Sequence, residues 1–179
     1  MSKESTLKGR SFERRVEHLL LQAQQGCPAR MAVQRQKVVD LRDGRSKILD
    51  FELRYQTMAS THIIAVECQH RASWSSEIID KILSVRNHSL HNRFWFIYEA
   101  DGFLSADVKA MFDSHGVMHF SISELEHHIQ WVVQDVLAAE QRCKDIAAQN
   151  ATNPTQGVDR YDLRGTPSRT SDPAMRSGR

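Results

Sequence analysis

The sequence predicts an α/β protein in which helices cover both faces of a mixed central sheet, a three-layer α/β/α arrangement. Apolar residues switch between helical and strand spacing in the order α-β-β-β-α-β-α-β-α. Residues 63–66, Ile-Ile-Ala-Val, are apolar on both faces, as in a buried central strand. A hairpin before this strand and βα alternation after it indicate both antiparallel and parallel strand pairs.

The first helix and the hairpin are predicted from local patterns. Gly26 and Pro28 end a stretch in which apolar residues recur at helical spacing. Two extended runs, residues 33–41 and 46–55, follow, and the Asp43-Gly44 pair between them is typical of a hairpin turn. The third strand then covers residues 62–70.

Serine residues mark the starts of the later helices. Ser75 or Ser76 caps a helix that we expect to run to about residue 90, and a strand follows at residues 93–100. Ser105 opens a short helix that ends near residue 115, before a last strand at residues 117–122. Ser123 opens a long helix to residue 149. Its apolar stripe packs on its own domain or pairs two copies in a homodimer; this stripe includes Val132, Val133 and Val136.

Length and composition bound the class of protein. The 179 residues, 40% of them hydrophobic, suit one core. No apolar run approaches the ~18 residues of a membrane span, so we expect no integral membrane protein. The polar first ten residues do not resemble a secretion signal, and three widely spaced cysteines favour a reducing cytoplasm.

The last thirty residues differ in composition from the rest. Residues 150–179 contain three of the four prolines and five arginines against three aspartates, which accounts for the whole net charge of +2. Few of these residues are apolar, so burial would not offset the entropy of ordering them. We therefore expect one domain at residues 1–149 and a disordered tail at residues 150–179.

The acidic residues of the second and third strands are the candidate site. Strand period two places Asp50 on the face opposite Leu49 and Phe51, and it places Glu67 and Gln69 on one face. If the two strands align side by side, Asp50 and Glu67 converge. Carboxylates in apolar surroundings are costly unless they are hydrogen-bonded, paired or bound to a cation.

Converging carboxylates with an open side suit a hard divalent cation. Mg²⁺ takes one or two carboxylates from a protein and fills its other positions with water and phosphate oxygens. We therefore predict that Asp50 and Glu67 bind Mg²⁺, or Mn²⁺ in its place. The alternative is a solvated sheet face on which Glu67 pairs with Arg71 or Lys81.

Two motifs resemble those of a known nuclease group. Asp50 is followed after sixteen residues by Glu67-Cys68-Gln69, and residues 9–16 read Gly-Arg-Ser-Phe-Glu-Arg-Arg-Val. This combination resembles the restriction-endonuclease-like PD-(D/E)xK nuclease superfamily, with the opening helix of Mrr-type enzymes and junction resolvases. The resemblance spans residues 8–122 and implies a restriction-endonuclease-like fold.

The resemblance also implies roles for individual residues. Asp50 and Glu67 would hold the metal, and Glu13 would assist through water or a second ion. Gln69 stands where the family has a lysine; it can orient the attacking water but carries no charge. Lys81 is the better candidate to supply that charge, because strand period two places Lys47 on the wrong face relative to Asp50.

These expectations combine into a metal-dependent endonuclease that hydrolyses phosphodiester bonds of DNA, with Asp50, Glu67, Gln69 and Glu13 as catalytic residues. One rival is a catalytically inactive nucleic-acid-binding or interaction module on the same fold. Another is an interaction protein whose acids are only surface charges. Several cations are candidates for phosphate contact or are ordinary surface charge; they are Arg10, Arg14, Arg15, Arg71 and Lys81.

Overall fold

A computed structural model describes residues 3–71, 73–99 and 104–152, with side chains from residue 7 onward. Nine elements follow one another in the predicted order α-β-β-β-α-β-α-β-α. They are α1 (Lys3–Gly26), β1 (Met31–Asp40), β2 (Ser46–Gln56), β3 (Thr61–Gln69), α2 (Ser76–His88), β4 (Arg93–Tyr98), α3 (Ala106–Ser114), β5 (Val117–Ser121) and α4 (Ile122–Thr152).

The five strands form one mixed sheet in the order β1-β2-β3-β4-β5. The pairs β1–β2 and β2–β3 are antiparallel, whereas β3–β4 and β4–β5 are parallel. Helices α2 and α3 make the connections between the parallel strands, as such crossovers require. The predicted α/β class, the mixed sheet and the order of the elements are confirmed.

Two apolar cores separate the helices into layers. Phe12 and Val16 of α1 pack with Val132 and Val136 of α4 on one face of the sheet. Helices α2 and α3 pack on the other face around Phe96 and Phe112, among others. Strands β3 and β4 contribute alternate residues to the two cores, because successive side chains of a strand point to opposite faces. The domain is therefore a three-layer α/β/α structure.

The long last helix packs on its own domain. Val132 and Val136 are buried in the first core, and Val133 packs against it. We expected the apolar stripe of α4 either to pack on its own domain or to pair two copies of the chain. In the structure, these valines pack within the chain. The helix runs to Thr152, and the remainder of the expected disordered tail lies outside the described residues. In the part of the chain that the structure describes, no helix is long and apolar enough to cross a membrane.

Serine residues stand at the starts of the later helices, but the Ser75 side chain before α2 makes no capping hydrogen bond. The Ser105 side chain accepts a hydrogen bond from the Val108 backbone N–H, as predicted. Helix α4 begins one residue before Ser123, because Ser121 and Glu124 form the cap. The Ser121 N–H donates to Glu124 Oε2 over 2.7 Å, and the Glu124 N–H donates to Ser121 Oγ over 3.4 Å.

Halfway along the β1–β2 hairpin, the alternation of side chains between the two cores inverts. Leu49 is buried in the α2–α3 core, whereas Phe51 is buried in the α1–α4 core. Regular period two would place both on one face, as the sequence analysis expected; that expectation is wrong here. The regular cross-strand pairing leaves out Gln36 and Asp50 at this level, and Gln36 has a φ of 48°. The left-handed backbone of Gln36 accompanies the inversion of both strands.

Replacing Gln36 with glycine tests the strain at this inversion. Glycine adopts positive φ without the steric cost of a Cβ, so we expect Gln36→Gly to raise the free energy of unfolding by roughly 0.5–1 kcal/mol. Gln34→Gly is the matched control: it is exposed on the same strand and does not have positive φ. We expect it to lower the free energy of unfolding by about 0.5–1 kcal/mol. Urea denaturation of both variants measures the difference, and equal effects would contradict a strained Gln36.

Candidate active site

The candidate site lies where β2 and β3 separate. Their backbone pairing ends at Phe51 and Val66. Beyond this point β2 continues beside β1 alone, down to Ser46, and the last residues of β3 pair with β4 alone. The separation leaves backbone groups without their ladder partners and opens space between two rigid strands.

Asp50 bridges this gap with its side chain. The Cys68 backbone N–H donates a hydrogen bond of 2.7 Å to Asp50 Oδ2. A carboxylate oxygen thus replaces the carbonyl that a continuing ladder would have offered. This bond fixes the Asp50 carboxylate beside the end of β3, where Glu67 precedes Cys68.

Glu67 is buried and only half satisfied. The residue is 6% exposed, and its Oε2 lies 3.4 Å from Lys47 Nζ. Its Oε1 is buried and has no hydrogen-bond partner among the described residues. A buried carboxylate oxygen without a partner costs free energy and marks a place where a cation or proton is favoured.

Electrostatics couple the two acids. Burial and the nearby Asp50 raise the pKa of Glu67 from its ordinary 4.5 to about 7, against the opposing effect of Lys47. Burial also raises the pKa of Asp50, whereas the Cys68 hydrogen bond, Lys47 and Arg35 lower it. Two acids that resist ionising together form a site that stabilises positive charge.

Glu13 extends the acidic cluster from α1. It is half-buried, and its pKa is raised by burial and by Asp50, while Arg35 and Arg10 lower it. Asp50 therefore interacts with Glu13 on one side and with Glu67 on the other. The structure brings together the three acids that the sequence analysis selected, whereas metal binding and catalysis stay predictions.

Lys47, rather than Lys81, is the cation beside the acids. The inversion at Asp50 puts Lys47 on the same side of the sheet as Leu49 and Glu67, so the period-two argument against Lys47 is wrong. Lys81 pairs with Glu77 on the exposed surface of α2. The alternative pairing of Glu67 with Arg71 or Lys81 is also replaced by its contact with Lys47. The observed face of Lys47 differs from the predicted one because of the inversion, which positive φ at Gln36 accompanies. A glutamine in the sequence does not indicate positive φ.

Gln69 follows Glu67 on β3 and is oriented by a neighbour. Arg71 Nε donates a hydrogen bond of 2.8 Å to Gln69 Oε1. This bond occupies the amide oxygen and leaves the amide N–H groups as donors. Arg71 thus positions Gln69, and its own guanidinium stays exposed beside the end of β3.

The predicted phosphate-contact residues of α1 have different surroundings. Arg10 lies close enough to Glu13 to lower its pKa, and Arg14 is exposed on the same helix. Arg15 Nη1 pairs with Glu99 at 3.2 Å. Arg35 of β1 pairs with Glu17 at 3.2 Å, so α1 and the hairpin are joined next to the acids. Arg10 and Arg35 are therefore the cations of α1 and β1 whose charge acts on the acidic cluster.

Glu52 belongs to a separate, satisfied network. It is 3% exposed, and its oxygens lie 2.7 Å from Arg54 Nε and 2.8 Å from His91 Nε2. Burial acts to raise the pKa of Glu52, but the hydrogen bonds to His91 and Arg54 lower it overall. This network joins β2 to the loop before β4. Both oxygens of Glu52 have partners, whereas the buried Glu67 Oε1 has none among the described residues.

Histidines line a depression of about 720 Å³ at the junction of β5 and α4, away from the acids. His119 lies 3.3 Å from Asp113, and His127 Nδ1 lies 2.8 Å from the Ser123 carbonyl. No group of three or more His, Cys, Asp or Glu side chains in the described part of the chain is arranged to hold a metal ion. This holds for the histidines of the depression and for Glu13, Asp50 and Glu67 alike.

The donors at the acidic cluster nevertheless suit a magnesium ion that takes few protein ligands. Asp50 and Glu67 offer carboxylate oxygens, and the unpartnered Glu67 Oε1 is available for a cation. Mg²⁺ is commonly held by one or two carboxylates, with water and phosphate oxygens as the other ligands. A cluster of three side chains is not needed for such a site.

Comparisons with known proteins give weak structural similarity and nothing at the sequence level. No family model and no curated protein matches this chain. A crystal structure of a protein of unknown function, AF1548, has a TM-score of 0.47 at 11% identity over 63% of this chain and 58% of that one. MspJI restriction endonuclease in complex with a 27-mer oligonucleotide has a TM-score of 0.36 at 15% identity over 79% of this chain and 31% of that one. This chain thus spans less than two thirds of either.

Glu67→Gln tests the electrostatic cost of the site. Ionised Glu67 destabilises the fold, so stability is lost as pH rises between about 4.5 and about 7, the two pKa values of the unfolded and folded states. In metal-free buffer we expect the variant to gain about 2–3 kcal/mol of unfolding free energy over wild type at pH 8, with little gain near pH 4.5.

Urea denaturation across this pH range measures the effect, and Glu77→Gln on the exposed surface of α2 is the control. A gain for Glu67→Gln that is independent of pH would contradict a raised pKa.

Proposed function

We propose that this chain is a metal-dependent nuclease that hydrolyses phosphodiester bonds of DNA. The observation that carries the proposal is Glu67, which has one oxygen against Lys47 and the other buried without a described partner, next to Asp50. The basic residues of α1 and the hairpin suit a polyanionic substrate. Asp50 and Glu67 would hold Mg²⁺ or Mn²⁺.

Each residue has a defined part in the proposal. A bound Mg²⁺ would polarise the phosphodiester and lower the pKa of an attacking water. Asp50 presents a fixed carboxylate because the Cys68 N–H holds it. Glu67 presents its free oxygen, and Lys47 supplies the positive charge that Gln69 lacks. Gln69, oriented by Arg71, donates a hydrogen bond that positions the water, and Glu13 accepts one from the water network.

One contact favours the inactive binding module instead. The Lys47 ammonium already neutralises part of the Glu67 charge, at 3.4 Å, without any metal. In that case the acids and Lys47 would form a structural ion pair inside a nucleic-acid-binding surface. The two functions differ in whether removal of Lys47 abolishes a reaction or merely alters binding.

Conservative variants separate these functions. We expect Asp50→Asn and Glu67→Gln to reduce Mg²⁺-dependent cleavage of plasmid and oligonucleotide DNA by at least about 100-fold. The introduced asparagine keeps an oxygen for the Cys68 N–H, and the introduced glutamine keeps the side-chain volume, so the fold is retained. Lys47→Gln should lower cleavage about 10- to 100-fold. Lys81→Gln and Glu77→Gln, an exposed pair on α2, are the matched controls.

Cleavage that all variants share equally would identify a contaminating nuclease and contradict the proposal. Retained DNA binding with no cleavage by the wild-type chain in Mg²⁺ or Mn²⁺ would support the binding module.

Metal binding should depend on pH in a defined direction. Because the pKa of Glu67 is about 7, a divalent cation must displace a proton below that pH. We expect Mn²⁺ affinity to rise about tenfold per pH unit below 7 and to level off above it. Titration calorimetry in buffers of different ionisation enthalpy would show release of about half a proton at pH 7. Glu67→Gln should remove this proton release, and its persistence would assign it to another group.

A further inference from the structure

The outer part of the β1–β2 hairpin leaves the sheet as a two-stranded ribbon, residues 37–49. Its β2 residues pair with β1 alone, because the pairing of β2 with β3 ends at Phe51 and Val66. Isolated two-stranded hairpins are marginally stable in water, so the ribbon needs further contacts to keep a fixed position. Lys47, the cation beside Glu67, belongs to this ribbon.

Apolar packing holds the ribbon beside α2. Leu49 is buried in the α2–α3 core, Val39 packs against that core, and Leu41 near the tip is also buried. Apolar burial is not directional, so it selects the face that the ribbon turns toward α2. The place at which the ribbon meets the helix requires directional contacts in addition.

Two hydrogen bonds join the tip of the ribbon to the C-terminal end of α2. The Arg42 N–H donates to the His88 carbonyl over 2.9 Å, and Arg45 Nη2 donates to Ser84 Oγ over 3.2 Å. The His88 carbonyl belongs to the last turn of α2, whose carbonyls lack partners within the helix. The tip therefore supplies a donor that the helix end needs, and it docks at one place.

The tip is itself well ordered by internal hydrogen bonds. The Gly44 N–H donates to the Leu41 carbonyl over 3.0 Å, which closes a β-turn. Asp43, inside this turn, accepts hydrogen bonds from the Arg45 backbone N–H at 3.1 Å and from Arg45 Nε at 2.8 Å. The guanidinium that reaches α2 thus has a fixed direction relative to the strand that follows.

The docked tip bears directly on Lys47, which is two residues after Arg45. Lys47 Nζ lies 3.4 Å from Glu67 Oε2, although the strands that carry these two residues do not pair at this level. The Lys47 side chain is 37% exposed, so its ammonium has room to turn toward solvent. The position of the ribbon therefore decides whether the ammonium meets the carboxylate.

We propose that Arg42 and Arg45 are positioning residues, which dock the hairpin tip on α2 and thereby hold the Lys47 ammonium beside Glu67. The Arg42 N–H and the Arg45 guanidinium act through Lys47. This inference rests on the proposed function for the part that Lys47 plays in cleavage. The position of Lys47 itself is measurable without DNA or metal.

Proline at position 42 separates the backbone contact from the charge of the side chain. Arg42 is the second residue of the β-turn, where proline is favoured, and its φ is not positive. Arg42→Pro removes the N–H that donates to His88. Arg42→Pro/Ser84→Ala thus removes both docking hydrogen bonds, and we call it the undocked variant. Arg42→Ala, which loses the same charge but keeps the N–H, is the matched control.

Lysine labelling measures the position of Lys47 in the metal-free protein. Competitive acylation read by mass spectrometry gives the labelling rate of Lys47 relative to that of Lys81, an exposed lysine on α2. We expect the undocked variant to raise this ratio about threefold to tenfold, since the amine leaves the shelter of Glu67. Arg42→Ala should leave it unchanged. An unchanged ratio in a folded undocked variant would overturn the inference.

Arg45→Gln provides a second variant that does not depend on proline. The Arg45 side chain is 63% exposed, so this substitution preserves the fold. It removes the contact with Ser84 and leaves the Arg42 N–H in place. We expect a smaller rise in Lys47 labelling, about twofold. A ratio equal to that of the wild type would show that Arg45 does not position Lys47.

Cleavage rates test whether docking acts through Lys47. With Mg²⁺, we expect the undocked variant to lower kcat about 3- to 10-fold, and to change KM for DNA no more than Arg42→Ala does. In the Lys47→Gln background the same docking substitutions should lower kcat no further, because the group that they position is absent. Equal losses in the two backgrounds would assign a direct role to the tip and overturn the inference.

The two proposals fail in different ways. If undocking raises the labelling of Lys47 but the wild-type chain does not cleave DNA in Mg²⁺ or Mn²⁺, the positioning stands and the nuclease function fails. If the wild-type chain cleaves DNA and undocking changes neither the labelling of Lys47 nor kcat, the nuclease function stands and the positioning is wrong.

Discussion

The separation of β2 from β3 beyond Phe51 and Val66 is the constraint on which the candidate site depends. A continuous ladder would place the backbone of Asp50 against that of Glu67 and leave no room for a carboxylate between the strands. Because the ladder stops, Asp50 turns its side chain into the gap and accepts the Cys68 N–H. The same gap places Lys47 within reach of Glu67. Backbone geometry therefore sets the positions of all three charged groups.

The arrangement opposes stability, which is informative about its purpose. Burial raises the pKa of both Asp50 and Glu67, and the charge of Asp50 raises the pKa of Glu67 further. Glu52, two residues after Asp50, shows what a buried acid looks like when it serves the fold: His91 and Arg54 satisfy both of its oxygens. This contrast between buried acids on two adjacent strands is the basis on which we propose a ligand at the Glu67 oxygen.

Local patterns in the sequence predicted the element order, the Asp43-Gly44 turn and the Ser105 cap, because each depends on a few neighbouring residues. The acids Asp50 and Glu67 could be selected because carboxylates inside apolar strands are unusual. The regular alternation of side chains between the two faces breaks at Asp50, where the strands invert. Positive φ at Gln36 accompanies this inversion, and a glutamine in a sequence does not indicate positive φ. The sequence analysis excluded Lys47 on the basis of that alternation. Its contact with Glu67 therefore became visible only in the structure.

The inversion at Gln36 and Asp50 also divides the hairpin into two mechanically distinct parts. The proximal half contributes Phe51, Leu53 and Tyr55 to the α1–α4 core. The distal half contributes Leu49 to the opposite core and otherwise has much exposed surface. The distal half is nevertheless connected to the rest of the domain, because the Arg42 N–H near its tip donates a hydrogen bond to the His88 carbonyl at the end of α2. A change at the tip would therefore be transmitted to Lys47 and, through its 3.4 Å contact, to the Glu67 carboxylate.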